Sequence, residues 1–258
     1  MSPSKHTRRA PLVLLPLAAV AILLIASPRG EGAQPGRSAA SGSPRAGRLV
    51  PGPESGEPWP NLRGVARRPD AVDVLVNKAV RLPAGFTPRN LAVPGVPFIF
   101  SGFDEKRQLS RIAVQPLERL FSAAARAGVP LAGVSGYRSE ATQRSLFEGY
   151  VAEMGPAAAA RVSARPGRSE HQTGLAIDVT GADGACPASS CFAGTPEARW
   201  LAAHAPGYGF VIRYPAGGEA STGYSYEPWH LRYLGRPLAE EVAASHLTYE
   251  EFLAMRLG

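Results

Sequence analysis

The spacing of hydrophobic positions changes several times along the chain, and each change marks an element. Over residues 113–127, Leu117, Leu120, Phe121 and Ala124 recur at helical intervals and Gly128 closes the segment, which predicts a core-facing helix. After the strand-like run LAGVSGY, Ser139 stands where a second helix would be capped. Leu146, Phe147, Tyr150, Val151 and Met154 share one face of that helix before Gly155 ends it. A third helix begins at Thr195 with Pro196 in its first turn, buries Trp200 and Leu201 and exits at Pro206-Gly207. A last one opens at Thr248, where Thr248 and Glu251 make a capping box. Between them, residues 132–136, 174–180, 209–214 and 229–233 read as strands. Helices outside a short mixed or antiparallel sheet make an α+β fold, without internal repeats or a Gly-rich phosphate loop.

The chain ahead of this pattern has a different character. Lys5, Arg8 and Arg9 precede an apolar run over residues 11–26, the layout of an export signal. The run is 16 residues long and interrupted by Pro16, just under the roughly 17–25 residues that span a bilayer, so a cleaved signal and a retained membrane anchor both stand for residues 1–26. No cysteine follows the run, which removes a lipoprotein. Residues 27–69 hold 8 Pro and 8 Gly among 43, a composition that reads as a disordered linker. The globular domain is then expected over residues 70–258, exported to the cell envelope, with the N-terminal segment in or through the membrane.

Net charge changes the picture only once it is divided. The formal +7 comes mostly from residues 1–70, where ten Lys/Arg oppose four Asp/Glu; residues 71–258 hold 18 against 17. The domain therefore makes no electrostatic case for nucleic acid. Its two cysteines, Cys186 and Cys191, are four residues apart, and in an exported chain a local disulfide is the preferred reading over a metal site short of two ligands.

Chemistry concentrates in two stretches. In SEHQTGLAIDV, strand alternation sends Leu175, Ile177 and Val179 to a core and Gly174, Ala176 and Asp178 to the other face, where two tiny residues would leave room beside a carboxylate. His171 has the opposite parity, so the chain must turn near Thr173-Gly174 if His171 and Asp178 are to meet. In YSYEPWHLRY, Glu227 and His230 sit three apart, but Pro228 argues against a helical zinc motif and for a loop entering a strand. His171, Asp178 and His230 would supply the three protein ligands of a catalytic Zn²⁺ site in a cleft on the sheet, one ion per chain, leaving Glu227 free as a base toward bound water.

These stretches resemble the VanY-type D-alanyl-D-alanine carboxypeptidases, a branch of the zinc peptidases of bacterial cell walls. SEHQTGLAID meets the pattern S-x-H-x-x-G-x-A-x-D and EPWH meets E-x-W-H; the likeness runs from about Leu75 to the C-terminal LTYEEFL. The resemblance implies zinc at His171, Asp178 and His230, the base at Glu227, and substrate contacts from Arg138, Gln143, Ser163, Ser169 and Tyr214. Arg138 reads either as a salt-bridged surface group or as a cationic fork for a peptide carboxylate or an oxyanion. Trp229 reads either as core or as a pocket wall, His204 as packing and His246 as surface. The expected activity is removal of the terminal D-Ala from peptidoglycan stem peptides. An L,D-carboxypeptidase acting on tetrapeptides and a non-catalytic, zinc-stabilised wall-binding module are the alternatives.

Overall fold

The structure, a computed structural model, describes residues 64–257. The signal or anchor read over 1–26 and most of the linker read over 27–69 lie outside the described residues. Within them, no helix is long and apolar enough to cross a membrane. The first described strand falls in the last residues of the stretch read as linker: β1 (Gly64–Val65) pairs in parallel with β2 (Val80–Arg81). A second two-stranded pair, antiparallel, joins β3 (Leu91–Ala92) to β4 (Leu109–Ser110).

α1 (Arg111–Arg126) follows directly, then β5 (Leu131–Ser135), α2 (Glu140–Met154) and α3 (Pro156–Val162). β6 (Ala176–Gly181), α4 (Pro196–His204), β7 (Phe210–Ile212), α5 (Glu219–Thr222) and β8 (His230–Tyr233) come next, and α6 (Arg236–Ser245) and α7 (Tyr249–Leu257) close the chain. The central sheet has the order β5-β6-β8-β7 with every neighbour antiparallel, so the α+β expectation holds and the sheet is antiparallel rather than mixed.

Each face of this sheet has its own partners. Ile177, Leu231, Phe210 and Tyr233 share one face in register and pack with Leu117, Leu120 and Phe121 of α1 and Leu201 of α4. The other face carries Asp178 opposite His230 and Val211 opposite Arg232. Val211 packs there with Ala239 and Val242 of α6 and Tyr249 and Phe252 of α7. Burying these apolar side chains at about 25 cal/mol per Å² drives the two layers together, and both layers are needed because both faces of β8 are apolar or neutralised.

Local signals account for the helix ends. Ser139 Oγ accepts from Thr142 N at 3.2 Å, and α2 stops at Gly155, whose φ of 81° suits a residue without a Cβ. Thr248 N donates to Glu251 Oε2 at 2.8 Å while Glu251 N donates to Thr248 Oγ1 at 3.3 Å, the reciprocal box anticipated for α7. One helical face differs from expectation. Of the α2 stripe only Phe147 is buried, and Leu146 and Tyr150 face the cleft described below.

Cys186 and Cys191 are bonded to each other, with 5.6 Å between their Cα atoms, and no free cysteine remains. Protein recovered from an oxidising compartment should therefore show no labelled thiol when unfolded without reductant. Two reactive thiols would refute the staple.

Candidate active site

The cleft forms where three pieces of backbone meet. β5 ends in a register shift between Gly133 and Ser135, a bulge that turns the chain toward β6. Gly136 follows, so tightly packed that a Cβ would lie 2.5 Å from Gln108 O. Its own carbonyl oxygen meets His171 Nδ1 at 2.7 Å, which leaves Nε2 free to face inward. His171 sits in a 3-10 turn over Glu170–Thr173 that ends at Gly174 in the left-handed region, φ 68°. This is the turn that the opposed parity of His171 and Asp178 requires.

The third piece is the EPWH stretch. Glu227 O accepts from His230 N at 3.1 Å, closing a tight turn with Pro228 and Trp229 at its corner. Glu227 and His230 thereby share one side of the turn, and His230 enters β8 opposite Asp178.

Three ligand-type atoms converge. His171 Nε2 lies 3.3 Å from Asp178 Oδ2, and His230 Nδ1 lies 3.0 Å from Asp178 Oδ1. The two imidazoles meet edge-on with centroids 4.9 Å apart, and one ligand atom from each of the three residues falls within a 4.8 Å circle. Tetrahedral zinc with bonds of about 2.0–2.1 Å separates its ligand atoms by roughly 3.3 Å, so the donor set fits such an ion. Asp178 Oδ1 is buried and, although His230 Nδ1 stands 3.0 Å away, no contact in the protein meets hydrogen-bond geometry there, as expected of two atoms that face a common metal.

A residue that sequence reasoning passed over completes the support. Glu170, inside the SEHQTG motif, is fully buried and places Oε2 3.6 Å from His230 Nε2, on the ring edge away from Asp178. A carboxylate behind a ligand histidine fixes which nitrogen faces the metal. Glu170 Oε1 also receives Arg213 Nε at 2.8 Å and Arg232 Nη1 at 2.7 Å, and Arg213 continues to Glu250 at 2.6 Å. Burial alone would raise the Glu170 carboxyl, but the guanidinium groups of Arg213 and Arg232 hold it well below the ordinary carboxylate range. The only cue in the sequence was a glutamate inside a motif that also supplies a ligand.

The charges inside the cleft follow from burial and neighbours. Burial alone would lower His230, but its polar contacts to Asp178 and Glu170 and the charges of Asp178 and Glu227 raise it to about 9 in the metal-free protein. Burial likewise holds His171 below its ordinary value, against the pull of Asp178. Burial pushes the Glu227 carboxyl up to about 7, opposed by His230, reinforced by Asp178, and opposed again by Arg138 and Lys78. Glu227 Oε2 stands 3.7 Å from His230 Nδ1, close to the donor set yet outside it.

A cavity of about 170 Å³ opens over these groups, with Arg138, Ser163, Ser169, Tyr214 and Trp229 in its wall. Arg138 makes no ion pair among the described residues. Its Nη1 donates to Gln143 Oε1 at 2.9 Å and its Nη2 to Ser135 Oγ at 3.1 Å, so neutral groups aim it and its charge is left for something in the cleft. Gln143 is fully buried and does not line the cavity. Its Nε2 donates to Ser163 Oγ at 3.1 Å and to Ala164 O at 2.7 Å, so it braces Arg138 and Ser163 together. Tyr214 packs its ring 4.9 Å from that of His230 and 4.5 Å from Tyr224. Trp229 fills both of its anticipated roles, walling the cavity and packing on the core. His204 stacks on Trp200 and His246 is exposed, both apart from the cleft.

One expectation is corrected. Gly174 and Ala176 do not make room for a ligand beside Asp178. A Cβ on Gly174 would lie 2.8 Å from Ser110 N, and Ala176 is fully buried opposite Arg232, so protein occupies the space that the small residues leave.

The same residues place the chain among known proteins. The sequence model of VanY, D-alanyl-D-alanine carboxypeptidase, matches residues 106–236, just over half of the chain. The YodJ protein of Bacillus subtilis, which carries a provisional carboxypeptidase name, is 40% identical over 186 residues, 72% of this chain and 68% of its own length. Among solved structures, the LD-carboxypeptidase LdcB aligns with a TM-score of 0.71 and 39% identity over 74% of this chain and 89% of that one. A mutant of the D,D-pentapeptidase VanY from a VanB-type vancomycin resistance cassette, in complex with Zn(II), aligns with a TM-score of 0.57 and 31% identity over 70% and 98%. With the match running through the bulge, the SEHQTG turn and the EPWH turn that assemble the cleft, the chain belongs to the VanY D-alanyl-D-alanine carboxypeptidase family.

Proposed function

We propose that this chain is a zinc-dependent carboxypeptidase of the cell envelope that removes the C-terminal D-alanine of peptidoglycan stem peptides, acting on the D-Ala-D-Ala end of pentapeptides. The observation that carries it is one cavity holding a three-residue donor set, a separate half-buried carboxylate and an arginine in no ion pair among the described residues. His171 Nε2, Asp178 and His230 Nδ1 would hold one zinc ion. When bound, that ion supplies Lewis-acid polarisation and a water acidic enough to ionise near neutral pH. Glu227, 3.7 Å from His230, takes the proton of the attacking water and later gives it to the leaving amine. Arg138, braced by Gln143 and Ser135, meets a negative oxygen of the substrate, either its terminal carboxylate or the oxyanion. Ser163, Ser169 and Tyr214 orient the short peptide from the walls, beside Trp229. Export is supported by the basic and apolar pattern of residues 1–26 and by the Cys186–Cys191 bond.

The likeness to LdcB favours a second reading, an L,D-carboxypeptidase acting on tetrapeptide stems. Mass spectrometry of synthetic pentapeptide and tetrapeptide stems after incubation separates the two. Loss of one D-Ala from the pentapeptide is expected, with little action on an amidated C-terminus, and Arg138→Ala should lower kcat/KM by at least about tenfold with zinc retained. Release of D-Ala from the tetrapeptide alone would move the enzyme to the L,D class. Equal cleavage of an amidated peptide would defeat the carboxypeptidase reading.

A further inference from the structure

Beside the catalytic cleft lies a second cavity, of about 410 Å³, that the reaction described above does not use. The two adjoin at Tyr224, next in the chain to the 220–223 segment that lines the second cavity. Tyr224 lines the catalytic cleft, and Lys78 Nζ stands 4.1 Å from its ring centroid. Lys78 and Arg168 line the second cavity with Asn77 and the 220–223 segment, and no carboxylate lines it.

What holds these two cations is informative. Lys78 Nζ donates to Gly223 O, and Arg168 Nη1 donates to Lys78 O at 2.8 Å. Backbone carbonyls aim both side chains, while neither joins an ion pair among the described residues. Arg81 and Arg165, both exposed, likewise join no ion pair among the described residues. Backbone hydrogen bonds from Arg168 N to Arg165 O at 2.9 Å and from Leu82 N to Gly167 O at 2.7 Å bring both next to Arg168, and after burial their like charges hold its guanidinium below its ordinary value. Glu227 in the catalytic cleft is the carboxylate whose charge acts on Lys78, while the arginines beside Arg168 repel it, so among the described residues the cluster keeps an excess of positive charge. Asn77 does contact a carboxylate, Glu250, but Glu250 is buried and already pairs with Arg213.

We propose that this cavity is a subsite for a second carboxylate of the substrate, one carried upstream of the scissile bond. This deepens, and rests on, the carboxypeptidase reading. Lys78 and Arg168 bind the anion directly, and Arg81 and Arg165 draw it in through their field. Lys78, which lines the second cavity, stands over the ring of Tyr224, which lines the cleft, so the two cavities are neighbours. That contiguity favours a group on the substrate chain over a free anion.

The test uses pentapeptides ending in D-Ala-D-Ala with a free carboxylate at the second or third residue, each compared with its carboxamide. Binding is measured by calorimetry to the full domain carrying Glu227→Gln, and cleavage is measured with the unaltered enzyme. One carboxylate peptide should bind about tenfold more tightly than its amide at low salt, and the preference should shrink as salt is raised. In Arg81→Gln/Arg165→Gln, two exposed changes, the preference should narrow while cleavage of acetyl-D-Ala-D-Ala, which has no second carboxylate, persists; in Arg168→Gln the preference should vanish. Equal binding of acid and amide at both positions would overturn the subsite. So would displacement of both peptides alike by inorganic phosphate with no acid preference, which would mark a general anion site. Failure of the unaltered enzyme to cleave acetyl-D-Ala-D-Ala or either pentapeptide would instead overturn the carboxypeptidase reading.

Discussion

Glu227→Gln should leave zinc binding intact and cut turnover by roughly 10²–10⁴-fold, the usual worth of a positioned general acid–base. The substitution keeps shape and hydrogen-bonding reach but removes the ability to take a proton. Zinc should stay because Glu227 stands outside the His171, Asp178 and His230 set that lies within 4.8 Å. The environment suits the role: burial raises the Glu227 carboxyl to about 7 in the metal-free protein, and a nearby dication would favour its ionised, proton-accepting form. Kinetics with a pentapeptide stem, together with metal analysis of the same preparation, checks both halves. Zinc leaving along with activity would make Glu227 a ligand and reverse its assignment.

His230→Ala should abolish both metal binding and activity, the largest effect expected of any single change. It deletes one of three donors and also leaves Glu170 without the ring it faces at 3.6 Å. Two remaining ligands hold zinc poorly, and no other cluster of metal-type side chains exists among the described residues. His230 sits at about 9 without metal, so at neutral pH it must lose a proton to coordinate. Zinc titrations of the unaltered domain in buffers of different ionisation heat should therefore report proton release. Circular dichroism guards against simple unfolding, since the apolar layers around Ile177 and Val211 do not depend on the ion. A stoichiometric zinc retained in the His171→Ala/His230→Ala double variant would sink the metal assignment.

Much of the fold was legible in the sequence where a local signal decides an element. Ser139, Gly155, Thr248 and Glu251 fixed helix ends because a cap needs only its own turn. The β6 alternation fixed which residues are core, because Leu175, Ile177 and Val179 must leave water together. Short pieces escaped: β1 to β4, α3 and α5 carry too few residues for a period to emerge, and β1 and β2 exist only as partners of one another; α6 is longer but buries only Ala239 and Val242, too thin a stripe to stand out.

By itself, the sequence determined the chemistry on offer: two histidines, an aspartate and a glutamate in two short motifs, with a proline that forces a turn rather than a helix. Only the tertiary structure decided how that chemistry is held. Glu170 reads as one more polar residue until Arg213, Arg232 and Glu250, up to 80 positions away, close around it. Gln143 reads as a substrate contact until its burial makes it a brace, and Ala176 as open space until Arg232 fills it. The physical reason is common to all three. A side chain's type is local, whereas its burial and its partners are set by whichever distant segment folds against it, and no spacing along the chain encodes that distance.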